Sequence, residues 1–213
     1  MKEKYKNIVE WAFIVVALAM FVYHMVSTQY MLFGSYEHQN MHLFFLLILI
    51  FLGTMRAHQK GWVWLVQCIL IIISIICTMY VFFNMNHLEQ IIGFPNAVDQ
   101  IIGVLLILLA VEATRQAWGW TLPIVVSVFV VYFFLGHMIG GPLSHRPFSF
   151  DYVISYLSIG LSGIYGTFLA ISANYIFLFV VFGALLEITK INDLFMELGK
   201  GAGKVLQGGP AHT

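Results

Sequence analysis

Charge is what this chain most lacks. Of its 213 residues only 9% are Asp, Glu, Lys or Arg, where a soluble domain carries about a quarter. So little polar surface cannot cover a water-soluble globule, and lipid must face most of the exterior. An excess of one sign is missing too. Ten basic and ten acidic residues cancel at neutral pH, which removes the electrostatic case for a nucleic-acid partner. Cysteine is almost absent. Cys68 and Cys77 stand nine positions apart in one apolar run, which on a helix separates them by ~13.5 Å along the axis and about half a turn in direction. That excludes a disulfide or a shared metal and leaves lipid-facing or packing roles. No internal repeat or low-complexity tract is evident. The basic start, Met1 to Lys6, is followed by an apolar stretch longer than a signal-peptide core, and no small-x-small cleavage site ends it. It reads as a retained helix.

What is abundant is apolar. Hydrophobic residues make up 61% of the chain and the mean hydropathy is +0.90. Runs extend over Val9–Val26, Met41–Met55, Trp62–Phe83, Val98–Trp118, Thr121–Met138 and Ala170–Ile188, each near the ~20 residues that span hydrocarbon, the second being short. A further stretch, Phe150–Thr167, mixes Ser155, Ser158 and Ser162 with Gly160, Gly163 and Gly166. Such a segment spans poorly and fits a re-entrant or interfacial piece. The expectation is an all-α integral membrane protein of about six transmembrane helices plus this glycine-rich segment.

Charge distribution orients the bundle independently of hydropathy. With a cytoplasmic N-terminus and six crossings, the inner segments hold Lys2, Lys4, Lys6, Arg56, Lys60, Arg115, Lys190, Lys200 and Lys204, and the outer ones hold only Arg146. Nine of ten basic residues thus fall on one side, as the positive-inside rule requires. Trp11, Trp62, Trp64, Trp118 and Trp120 sit at the same ends, where an indole prefers the interface. Turn chemistry marks the breaks: Asn96 is expected to cap the fourth helix, Thr121 to cap the fifth with Pro123 in its first turn, and Gly140-Gly-Pro to end it.

Few residues offer chemistry. Glu112 and Arg115 lie one turn apart near the cytoplasmic end of the fourth helix. A carboxylate at bilayer depth costs ~3 kcal/mol, so one retained there is a functional candidate. Lying near the interface, it reads foremost as a structural ion pair, with coupling or subunit contact as the alternative. Asp99 reads as a first-turn carboxylate favoured by the helix dipole. Gly103, Ala110, Ala113 and Ala117 form a small-residue face for close packing. His24, His42 and His137, toward outer helix ends, raise a haem or metal reading, but no paired spacing supports it and interfacial hydrogen bonding is preferred. Tyr156, Tyr165 and Asn174 border the glycine-rich segment and the sixth helix, where transporters place substrates and where glycines equally serve tight packing. The tail fails as a phosphate loop, since Leu198 stands where the first glycine belongs and Val205 follows Lys204.

Two stretches carry a resemblance. Gly93-Phe-Pro-Asn-Ala-Val-Asp, continued by Val111-Glu-Ala-Thr-Arg-Gln-Ala-Trp-Gly-Trp, and Ser172-Ala-Asn-Tyr-Ile-Phe-Leu-Phe-Val-Val-Phe-Gly-Ala-Leu-Leu-Glu resemble the fused permeases of TRAP transporters (tripartite, ATP-independent, periplasmic), the TAXI-type subgroup above all. His145-Arg-Pro-Phe-Ser and Gly163-Ile-Tyr-Gly continue it, and Gly208-Gly-Pro-Ala is similar to the family's approach to its first hairpin. The chain departs after Glu187, reading Ile188-Thr-Lys-Ile where many relatives have Ser-Gly.

The resemblance implies a multi-pass bacterial inner-membrane permease with a four-helix small-permease-like scaffold, residues 1–118, and the beginning of a large transport domain, residues 119–213, cut in mid-domain. It implies ion-gradient-driven import of organic acids or similar anions, coupled to an ion that is usually sodium, with a periplasmic binding protein, the remainder of the transport domain and the bilayer as partners. The family's sodium and substrate sites would lie beyond Thr213, so no binding residue is carried over. No enzymatic activity is expected, nor a cofactor or metal within these residues. Glu112, Arg115 and Asn174 stand as coupling or packing candidates. A non-transporting membrane scaffold or assembly subunit is the alternative, separated by the gene sequence after Thr213. A membrane redox protein, a distant third, would show a Soret band.

Overall fold

A computed structural model describes residues 2–58 and 61–205. Lys60 and the Gly208-Gly-Pro-Ala stretch lie outside them. The described chain is helix and turn with no strand: α1 (Lys2–Gln29), α2 (Ser35–Ala57), α3 (Gly61–Gln90), α4 (Ala97–Trp118), α5 (Thr121–Leu135), α6 (Phe150–Ser158), α7 (Thr167–Ile171), α8 (Phe177–Ile188) and α9 (Ile191–Val205). Six stretches are long and apolar enough to cross a membrane: Lys6–Gln29, Ser35–Ala57, Gly61–Gln90, Ala97–Trp118, Thr121–Met138 and Thr167–Ile188. This is an all-α, multi-pass membrane architecture. The second span is not short, because helix begins at Ser35, six residues before the apolar run.

By packing, the chain forms two compact units, Met1–Ala173 and Asn174–Thr213. In the first, α2 is central and packs on α1, α3 and α4. Its apolar residues Leu43, Leu47 and Phe51 meet Cys77 and Val81 of α3 and Leu106 and Leu109 of α4 in one buried cluster. Cys77 is therefore a core residue and Cys68 an exposed one. Polar contacts join α1 to α2 toward both ends. At one end Arg56 donates twice to the Glu10 carboxylate, at 2.9 and 2.6 Å, and lies over the Phe13 ring. Toward the other end His24 meets His42 at 2.9 Å.

Helix ends follow their local chemistry. Asn96 caps α4 by accepting from the Val98 and Asp99 amides, and Asp99 accepts the Asn96 amide in return, completing a capping box. Asp99 is more than a dipole partner, however. It is fully buried and also takes the Tyr80 hydroxyl at 2.6 Å and the His87 Nε2–H at 3.2 Å. Gly119, with φ 78°, closes the helix. Thr121 does not cap α5. It is already the first helical residue, and Trp120 occupies the cap position without a side-chain bond. The helix also stops at Leu135, ahead of the glycines at 140 and 141, and passes through a 3-10 turn at Gly136–Met138.

The glycine-rich stretch forms the nine-residue helix α6, capped by Ser149, and a series of turns. Nine residues rise ~13.5 Å, less than half the hydrocarbon thickness. Gly103 of α4 supplies the close approach: a Cβ there would lie 2.5 Å from Ser158 Oγ and 2.8 Å from Ile154 Cγ2 of α6. Of the small-residue face, Gly103 and Ala113 are buried and Ala117 is exposed. A stack of Phe133, Phe148, Tyr152 and Tyr156, with ring centroids 5.2 to 6.0 Å apart, ties α6 to α5.

In the second unit, α8 ends at a turn where Lys190 takes φ 54°, the left-handed value that glycine adopts at lower cost. The following helix α9 is amphipathic, with Ile191, Leu194, Phe195 and Leu198 on one face.

Candidate functional site

The first candidates, Glu112 and Arg115, do meet. Arg115 donates from Nε and from a terminal nitrogen to the two carboxylate oxygens, at 2.7 and 2.6 Å, and Gln116 adds a third bond at 2.7 Å. The guanidinium lies 5.2 Å from the Trp120 ring centroid. Three donors satisfy the carboxylate. The pair forms one wall of an open cleft of about 630 Å³ between α2, α3 and α4 that also includes Thr54, Trp62 and Gln67. Its geometry suits an anchor at a helix end. Asn174, the remaining candidate, sits elsewhere in the sequence order, within a π-helical turn, Ser172–Ile176, that interrupts the Thr167–Ile188 span between α7 and α8.

That interruption leads to a constellation of which the sequence offers His24 and His42 but not His38. Against Ser172 and Ala173 stand three histidines, His24 of α1 and His38 and His42 of α2. His24 Nδ1 is 2.8 Å from the Met20 carbonyl, His24 Nε2 is 2.9 Å from His42 Nδ1, and His42 Nε2 is 3.0 Å from Ser172 Oγ. The partners assign the protons. A carbonyl only accepts, so His24 carries its hydrogen on Nδ1 and, when neutral, accepts at Nε2. His42 must then donate from Nδ1 and accept the Ser172 hydroxyl at Nε2. His38 obeys the same logic: Nε2–H points at the Ala173 carbonyl at 3.4 Å, and Nδ1 accepts the Tyr23 hydroxyl at 2.9 Å. His24 and His42 are both buried.

The row runs unbroken from the Ser172 hydroxyl through His42 and His24 to the Met20 carbonyl, an order of bonds along which a proton can be exchanged.

Beside it, the tyrosines and a buried asparagine link the glycine turn to the bundle. Tyr165 is fully enclosed and donates to Asn40 Oδ1 at 2.8 Å, while Asn40 Nδ2 donates to the Thr78 carbonyl at 2.9 Å. Burial pushes the Tyr165 phenol well above its ordinary pKa, with Tyr36 and Cys77 adding to the effect, so it remains a donor. Tyr36 donates to the Ile159 carbonyl.

Of the histidines singled out earlier, His24 and His42 are brought together, whereas His137 is exposed in the 3-10 turn. His38 was overlooked because α2 was expected to start at Met41. With a start at Ser35, His38 and His42 are four apart on one face, which is the signal that would have found them. Among the described residues no group of three or more His, Cys, Asp or Glu side chains has the geometry to hold a metal ion. No protein-family model, no curated protein and no solved structure matches the chain.

Proposed function

We propose that this chain is the membrane permease component of a secondary, ion-gradient-driven TRAP-type transporter: a scaffold of four helices over residues 1–118 joined to the first helices of a transport domain over residues 119–213. One observation carries the reading. The Thr167–Ile188 span is broken by a π turn at Ser172–Ile176 and preceded by a half-length helix and a glycine turn. Secondary transporters place ions and substrates at such broken helices, and irregular backbone at membrane depth persists only where protein or water covers it. Here His38 and His42 supply that cover on the Ser172–Ala173 side.

In this reading the N-terminus is cytoplasmic and the membrane is a bacterial inner membrane. The coupling ion is sodium, and a periplasmic protein delivers an organic acid or similar anion. The Glu112–Arg115 pair holds the scaffold end of α4, and Asn174 lies in the broken span of the transport domain. The test is uptake of a panel of labelled organic acids by the complete permease in liposomes, with the binding protein supplied, with and without an inward sodium gradient. Gradient-dependent accumulation is expected. Normal incorporation without accumulation of any tested acid under either condition would overturn the proposal.

A further inference from the structure

The cleft of about 630 Å³ beside the Glu112–Arg115 pair lies where α2 and α4 finish and α3 begins. Its lining changes character with depth. Trp62 stands at the mouth, 67% exposed, and Leu49, Ile50, Val63 and Val66 give an apolar surface further in. Between the two lies Gln67, five residues past Trp62 on α3 and therefore ~7.5 Å deeper along the axis. Gln67 is the residue that calls for a ligand. It lines the cleft and is only 4% exposed, yet among the described residues its amide has no hydrogen-bond partner at either end. The oxygen Oε1 is closed off as well as unpartnered; the nitrogen Nε2 is not closed off, so the donor end of the amide is the one that keeps access to the cleft. Arg115 holds a second unused donor. Its Nε and one terminal nitrogen bind Glu112, and the other terminal nitrogen has no protein partner among the described residues, on a side chain 34% exposed.

The Glu112 carboxylate offsets the guanidinium, so little charge is left to draw a free phosphate from solution. From the mouth inward the cleft offers an indole and a guanidinium N–H, then an amide N–H, then aliphatic surface. Indoles and charged groups at the end of a span sit at headgroup level in a bilayer, and a donor left bare below that level is costly. A phospholipid carries the complementary groups in the same order: a phosphodiester, then ester carbonyls that accept without donating, then an acyl chain. We propose that this cleft holds one phospholipid, with its phosphodiester on Arg115, an ester carbonyl on Gln67 Nε2 and the start of a chain along Val63 and Val66. The volume falls in the range of small-molecule sites, which suits the middle of a lipid whose chain ends remain in the bilayer.

The experiment titrates palmitoyl-oleoyl phosphatidylcholine into the full, delipidated chain in maltoside micelles and counts adducts by native mass spectrometry. A first adduct that saturates well before any other is expected. Gln67→Leu keeps the side-chain volume and removes the donor, so it should weaken that adduct about tenfold without lowering the unfolding temperature. Val66→Trp, at a position 39% exposed, fills the cleft instead and should remove the adduct, which keeps the test open if the first variant fails to fold. Absence of a saturable first adduct, an adduct unweakened in either folded variant, or its displacement by inorganic phosphate would each overturn the proposal; the last would make this a free-anion site and an unweakened adduct would place the lipid elsewhere. None of these readouts depends on transport, so failure here leaves the permease reading standing.

Discussion

Asn40 is fully enclosed, and each end of its amide has a partner across a helix boundary. Replacing Asn40 by Leu strands the Tyr165 hydroxyl and the Thr78 carbonyl together. The expected loss is about 2–3 kcal/mol, read by thermal unfolding of the purified chain. Tyr165→Phe alone should cost about 1 kcal/mol, and the double variant less than the sum, since the hydroxyl left stranded is gone. An additive result would show that the two residues do not act as a pair. Gly163 is constrained by space: a Cβ would lie 1.9 Å from the Leu157 carbonyl oxygen. Backbone cannot step aside as a side-chain tip does, so Gly163→Ala should cost about 3 kcal/mol or more, and a fall in unfolding temperature no larger than that of an exposed-site alanine would contradict this. At this scale the sequence was legible where a residue acts on its own neighbours. Asn96 capped as expected and Glu112 paired with Arg115 three residues on. It was opaque for Asn40 and His38, whose partners are brought by chain folding from as far as 135 positions away.

Elements were legible to the extent that apolar length defines them. Hydropathy found every span, yet it placed the start of α2 late because Ser35, Tyr36, Gln39 and Asn40 are polar or amphipathic and are nevertheless helical and, from Tyr36 onward, partly or fully enclosed. The π turn gave no apolar signal, since Ala173 and Ile176 continue the hydrophobic run on either side of Asn174. Its stability rests on contacts from α2, and that is testable. Ser172→Ala removes the hydrogen bond at 3.0 Å to His42 without touching the apolar packing. Backbone amides of residues 172–176 should then exchange with deuterium several-fold faster, while the unfolding temperature changes little. Unaltered exchange would mean that His42 does not hold the turn.

For the molecule as a whole, the six spans follow from composition, and the orientation proposed for them rests on the distribution of Lys and Arg. Single cysteines placed at Arg56 and at Gly141, in a chain with Cys68 and Cys77 replaced by alanine, provide the check. The cysteine at 141 should react with an impermeant maleimide added to intact cells, and the one at 56 only after lysis. The reverse pattern would invert the topology and remove the physical ground for the permease proposal.

The polar contacts at the two ends of the first pair of helices set a mechanical limit on any such machine. Glu10 and His24 are fourteen residues apart, a lever arm of about 21 Å. A rod fastened at two such distant points can neither pivot about one nor slip by a turn, ~5.4 Å, without releasing both. Whatever travels in this protein, its first two helices travel or stay as a single beam.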